Sequence, residues 1–85
     1  MPSKTVLVGS AVGLHARPAA IIAEAAGDLG SEVTLTVDGG APVDASSALM
    51  IMTLGAAKGA SVEVAGDSEA DVETIAALVE KDLDA

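Results

Sequence analysis

Residues Glu32-Val-Thr-Leu-Thr-Val-Asp38 alternate apolar and polar side chains without a break. Side chains on a strand point to its two faces in turn, so Val33, Leu35 and Val37 share one face and Thr34 and Thr36 the other. Ser61-Val-Glu-Val-Ala65 repeats the pattern. Strands of this kind need one covered and one wet face. Helices laid on one side of an antiparallel sheet satisfy both, which implies a two-layer α+β domain.

The remaining segments fit around those two strands. Lys4-Thr-Val-Leu-Val8 is short and β-branched and reads as a first strand. Ser10 to His15 is a loop, with Gly9 and Gly13 at its bends. From Ala16 the chain turns to Ala and Ile, with Pro18, Ile22, Ala25 and Leu29 on one helical stripe. Proline is tolerated in a first turn, where its missing N–H has no intrahelical acceptor. Gly27 and Gly30 are the C-cap candidates. Asp38-Gly39-Gly40 reads as a hairpin turn, after which Ala41 to Asp44 returns as a short strand, limited by Pro42.

Ser46 and Ser47 precede a short apolar helix, Ala48 to Leu54, closed by Gly55. Gly66-Asp67 turns out of the later strand into a last helix. Ser68 is its N-cap, with Asp71 as the partner of a capping-box-like pair. Val72, Ile75, Ala76, Val79 and Leu83 then recur at helical spacing. The order is β-α-β-β-α-β-α, in one domain spanning residues 1–85. A ferredoxin-like sheet shares the first six of these elements, so the order along the chain leaves the order of strands open.

Composition narrows the chemistry. The 85 residues include 18 Ala but no Phe, Tyr, Trp or Cys, so the core falls to Val, Leu, Ile and Met. Without Cys there is no disulfide, thiol nucleophile or thiolate metal site. Thirteen acids against four bases give a net charge of −9. That balance argues against nucleic acid, whose phosphates need basic residues, and no aromatic side chain is present to stack on bases. No apolar run approaches the roughly 20 residues of a membrane span. Val6 to Leu14 has a faint likeness to a signal-peptide core, but Gly9, Ser10 and Gly13 interrupt it and Arg17 follows. The expected location is the cytoplasm.

The acids are unevenly placed. Residues 1–23 and 45–62 contain none, and all thirteen fall in 24–44 (five) and 63–84 (eight). Burial accounts for part of the helix Ala48–Leu54. Yet Leu49, Met50, Ile51 and Met52 are consecutive, so some of them must face solvent. Exposed Met and Leu beside an acid-free loop suggest a docking surface.

The single histidine stands in Gly13-Leu14-His15-Ala16-Arg17-Pro18-Ala19. A lone His is more often structural or merely solvated than functional. This one lies just before a helix whose first N–H groups, including that of Ala16, have no internal acceptor, and Arg17 sits in the same turn. Free amides, the helix dipole and a guanidinium converge there on a place for an anion. A Ser–His hydrolase would need a positioned serine, and no G-x-S-x-G occurs. Arg17 would repel a metal cation. A positive first turn favours neutral, nucleophilic imidazole and stabilises a phosphoryl group in transit, so His15 reads as a phosphate carrier.

That stretch resembles the active-site signature of the HPr family, the histidine-containing phosphocarriers of the sugar phosphotransferase system. The likeness extends along the whole chain and includes a second matching stretch from Ser47 through Gly55. It implies an open-faced sandwich of four antiparallel strands covered on one face by three helices. It also implies a cytoplasmic monomer that takes phosphate from enzyme I, charged by phosphoenolpyruvate, and passes it to the A domains of sugar permeases. By that likeness His15 carries phosphate on Nδ1, Arg17 assists, and Ala20, Ala48, Leu49 and Met52 belong to the docking face. Neither metal nor cofactor is needed.

By the same likeness Ser47 matches a serine that a dedicated kinase modifies in many Gram-positive relatives, with a phosphorylase and a transcription regulator as further partners. A plain helix cap accounts for Ser46 or Ser47 equally well. The chain departs from the family pattern in three ways. One residue is added in the Asp38–Ala41 hairpin, Met50 stands where many relatives have Gly, and Glu24 and Gly27 replace basic residues of some relatives. Two other roles stand beside the carrier: a regulatory interaction module with an idle His15, and an acyl carrier, whose Asp-Ser-Leu signature is absent.

Overall fold

The computed structural model describes residues 2–11, 13–37 and 39–81. Seven elements follow in order: β1 (Ser3–Leu7), α1 (Ala16–Gly27), β2 (Val33–Val37), β3 (Val43–Asp44), α2 (Ala48–Thr53), β4 (Ser61–Gly66) and α3 (Glu69–Glu80). The strands form one sheet in the order β1-β4-β2-β3, and every neighbouring pair is antiparallel. A ferredoxin-like sheet is also antiparallel but sets its first and third strands in the centre. Here β4 and β2 are central and β1 and β3 are the edges, so that alternative is excluded.

Register puts the period-two pattern to use. Val6, Val62 and Val37 lie in one cross-strand row, and Val64, Leu35 and Val43 in the next. Among them Leu35, Val62 and Val64 are fully buried, each contributing about 1.5–3 kcal/mol by leaving water. Against this face lies α3, packed on β1 and β4, and α1 in turn packs on α2 and α3. Lys4 shares the covered face at its margin, where Nζ reaches Glu73 of α3 at 3.2 Å. Thr5, Glu63 and Thr36 cross the opposite face, which no described element covers. Leu7 also points there and is 59% exposed. This is the four-stranded, three-helix open sandwich expected.

Several local details differ from expectation. The first strand runs Ser3–Leu7 rather than Lys4–Val8; Val8 instead exchanges backbone bonds with Ala60 and Gly59. The third strand is only Val43–Asp44, because the nitrogen of Pro42 has no hydrogen to donate to a ladder. In α1 the buried stripe is Pro18, Ala19, Ile22 and Ala26, with Ala25 and Leu29 half-buried, so its C-terminal half is rotated from the expected one. Neither Gly27 nor Gly30 takes a left-handed cap; Asp28 and Leu29 close the helix with N–H bonds to Ala25 and Ala26. In α2 only Ile51 is fully buried.

Ser68 caps α3 as expected, its hydroxyl accepting from the N–H of Asp71. The carboxylate of Asp71 turns to Ser31, whose hydroxyl donates to it at 2.7 Å, so the reciprocal half of the capping box is replaced by a tie between α3 and the loop before β2. Gly39 has φ +74° and Gly40 donates to Val37 in the expected turn. Asp38 and Leu83, assigned to that turn and to the α3 stripe, lie outside the described residues. Val72, Ile75, Ala76 and Val79 form the rest of that stripe, all buried.

Candidate functional site

Gly9 and Gly13, which precede α1, are held from two sides. Gly9 donates to Val79 at the end of α3, and a Cβ at Gly9 would stand 1.9 Å from the carbonyl oxygen of Glu80. Gly13 has φ +77°, and a Cβ there would lie 2.3 Å from the carbonyl oxygen of Ala56. Only glycine meets both demands at residue 13. Leu14 then donates its N–H to Ala56 at 2.9 Å and is 3% exposed. A buried Leu14 leaves its successor directed outward.

That successor, His15, is the N-cap of α1, with extended backbone angles and an exposed side chain. Its imidazole makes no capping bond, so the ring is not tied to the helix. The carbonyl of His15 accepts from Ala19, the first intrahelical bond. Ala16 and Arg17 have no turn before them to accept their N–H groups, and Pro18 has no N–H at all. No acid occupies the first turn, and among the described residues Arg17 makes no ion pair. The positive end of α1 is therefore uncompensated beside an exposed imidazole. The chemistry it suits is the holding of an anion.

A depression of about 220 Å³ opens next to the ring, lined by Leu14, His15, Met52, Gly55, Ala56 and Ala57. It joins the histidine loop to the exit of α2. Of the four residues named for docking, Met52 lines this depression. Leu49 is 70% exposed on α2, Ala48 is half-buried, and Ala20 is exposed on α1. Met50 is also exposed, while Ile51 points into the core. The consecutive apolar run is thus divided as helical geometry demands.

Ser47 is the N-cap of α2 and accepts from the N–H of Met50 at 3.3 Å. Ser46 instead donates its hydroxyl and its N–H to Asp44, and these two bonds hold that carboxyl below its ordinary pKa. Neither serine lines the depression. The wall Gly55–Ala57 is the part of the site not anticipated from composition. Its signal was Gly55 and Gly59, both left-handed, inside the acid-free stretch 45–62.

Comparison with known proteins identifies the family. The family described as the PTS HPr component phosphorylation site matches residues 2–81. Phosphocarrier protein HPr of Streptomyces coelicolor is 42% identical over 99% of this chain and 94% of its own. Phosphocarrier protein NPr of Klebsiella oxytoca is 33% identical over 89% of this chain and 84% of its own. The crystal structure of HPr from Bacillus anthracis superposes with a TM-score of 0.85 at 31% identity, covering 92% of this chain and 95% of that one. HPr from Thermoanaerobacter tengcongensis gives 0.84 at 30% identity, over 94% and 92%. By sequence and by fold, the chain belongs to the HPr family of phosphotransferase-system phosphocarriers.

Proposed function

We propose that His15 is the residue that carries the phosphoryl group, received from phosphoenolpyruvate-charged enzyme I and handed to the A domains of sugar permeases. The observation that carries this is the exposed, uncapped imidazole at the acid-free N-terminus of α1. In the transfer, the lone pair of Nδ1 attacks phosphorus in line. The family likeness implies transfer between two histidines. The bond that breaks is therefore that from phosphorus to a ring nitrogen of the donor's histidine, and its electron pair stays on the donor. The excess proton leaves the His15 ring through the other nitrogen to water, and a proton from water balances the donor ring.

Little else is required, because phosphoryl transfer runs on positioning and on stabilising the three equatorial oxygens. The N–H groups of Ala16 and Arg17 and the guanidinium supply fixed positive charge for them. Pro18 keeps the turn helical without a competing donor. The chain acts as a covalent co-substrate, as one domain over residues 1–85, monomeric and cytoplasmic, with no metal. Ala20, Ala48, Leu49 and Met52 form the surface on which partners seat around the ring.

Incubation with enzyme I and phosphoenolpyruvate tests the assignment. The expected product is an acid-labile, base-stable phosphate that is lost in His15→Ala. Arg17→Ala should retain the fold and transfer about 10²-fold more slowly, the order found for removing one charge-stabilising donor. An unlabelled wild-type chain would point instead to a regulatory interaction module with an idle histidine.

Ser47 is proposed as a second phosphorylation site, for a serine kinase reversed by a phosphorylase and read by a transcription regulator. Its support is a half-exposed hydroxyl at the start of the docking helix. A phosphate there would add about two negative charges beside Leu49 and weaken docking. Ser47→Asp should therefore slow labelling of His15 by enzyme I; an unchanged rate would contradict the regulatory role.

A further inference from the structure

The loop that walls the His15 depression ends in a rigid, exposed corner. Ala60 donates to Ala57 at 3.0 Å across a four-residue turn, with Gly59 at φ +85° in its third position and Lys58 in its second. This is the arrangement in which the third residue needs a positive φ. Val8 clamps the turn on its other side, donating to Ala60 and accepting from Gly59, both at 2.9 Å. Ala56, two residues before Lys58, is bonded to Leu14, next to the histidine. The position of Lys58 relative to His15 is thus set by backbone bonds.

Lys58 is exposed, and among the described residues it makes no ion pair. It is the only charged residue between Asp44 and Glu63. A chain of net charge −9 therefore places an unneutralised cation next to the wall of its site and none of its acids in that stretch. A stable protein–protein contact covers about 800 Å² of each partner. That is roughly a fifth of the 4367 Å² surface of this chain. A protein that reaches the His15 ring must also cover Gly55–Ala57, and the corner at Lys58 follows directly.

We infer that Lys58 is a partner-recognition residue, meeting carboxylates on the rim of the protein that donates phosphate to His15. The inference rests on the carrier role proposed for His15. It assigns the donor an acidic surface where it overlies the turn 57–60. A cation at the edge of an interface acts on the rate of encounter and its salt dependence, and little on chemistry once the complex has formed.

The test is the rate of His15 labelling by enzyme I and phosphoenolpyruvate, with this chain as the varied substrate. At low ionic strength Lys58→Gln should lower kcat/KM about threefold and Lys58→Glu further, with kcat unchanged. The deficit should shrink as added salt shortens the screening length toward about 3 Å at 1 M. Lys58→Arg should restore the rate. Lys4→Gln, which removes the same charge from the far end of β1, should match the wild type. Lys58→Glu at the wild-type rate in low salt would overturn the inference, as would an equal loss in Lys4→Gln or a loss indifferent to salt. No labelling of the wild-type chain at all would overturn the carrier role and this assignment with it; normal labelling with no Lys58 effect would overturn this assignment alone.

Discussion

At the scale of single residues, the site depends on glycine as much as on histidine. Gly13 combines a left-handed φ with a contact too close for any Cβ, and it sits two positions before His15. Gly13→Ala forces either the loop or the Ala56 wall to move. The expected cost is about 1–3 kcal/mol, as for a residue held where its backbone is disfavoured. Labelling of His15 should slow as well, since Leu14 would lose its bond to Ala56. Chemical denaturation of the variant checks the first effect; a midpoint equal to that of the wild type would show that the loop gives way freely. Nothing in the one-dimensional motif distinguished a glycine needed for a bend from one needed for a close approach. Gly9 is of the second kind, and its neighbour is the end of α3, some seventy residues away in the chain.

At the scale of elements, α2 shows how a six-residue helix serves core and surface together. Ile51 is fully buried, whereas Leu49 is 70% exposed two positions earlier. Leu49→Asp should leave the circular dichroism spectrum and the melting temperature near wild type while slowing transfer from enzyme I. Ile51→Ala should do the reverse, costing about 2–5 kcal/mol of stability. Unfolding of Leu49→Asp would mean that this side of the helix is core after all. The run Leu49 to Met52 already required a division between inside and outside. Which residue went in was settled by the packing of α2 on α1 and its contact with β3. For α1 the same competition shifted the buried stripe, because the contacts of this helix are with α2 and α3, and an isolated periodicity does not contain them.

At the scale of the whole molecule, the dominant electrostatic fact is the net charge of −9, with the Lys4–Glu73 pair the only ion pair among the described residues. Self-repulsion of this kind opposes the compact state and is screened by salt. The melting temperature at pH 7 should therefore rise between about 10 mM and 1 M sodium chloride, where the screening length falls from about 30 to about 3 Å. A flat or falling curve would mean that repulsion is unimportant. Asp44 works in the opposite sense. Its folded pKa is lowered by the Ser46 N–H and hydroxyl, so it stabilises the fold above the ordinary aspartate range and ceases to do so as pH falls through the lowered value. Because this carboxyl is almost wholly solvated, its contribution is small beside the general relief of repulsion on acidification.

Taken alone, the sequence determined the things that repeat locally. Period-two strands, the apolar stripe of α3, a serine cap at Ser68 and an imidazole one position before a helix all follow from interactions spanning a few residues. They were enough to specify a two-layer fold and to place His15 and Arg17 in one turn. The tertiary structure alone decided what depends on distant partners: β4 lying between β1 and β2, the Gly55–Ala57 wall meeting the histidine loop, and Asp71 bonding to Ser31 instead of completing its own cap. Those outcomes are set by burial and by backbone hydrogen bonds between segments far apart in the chain, a competition that no local pattern encodes.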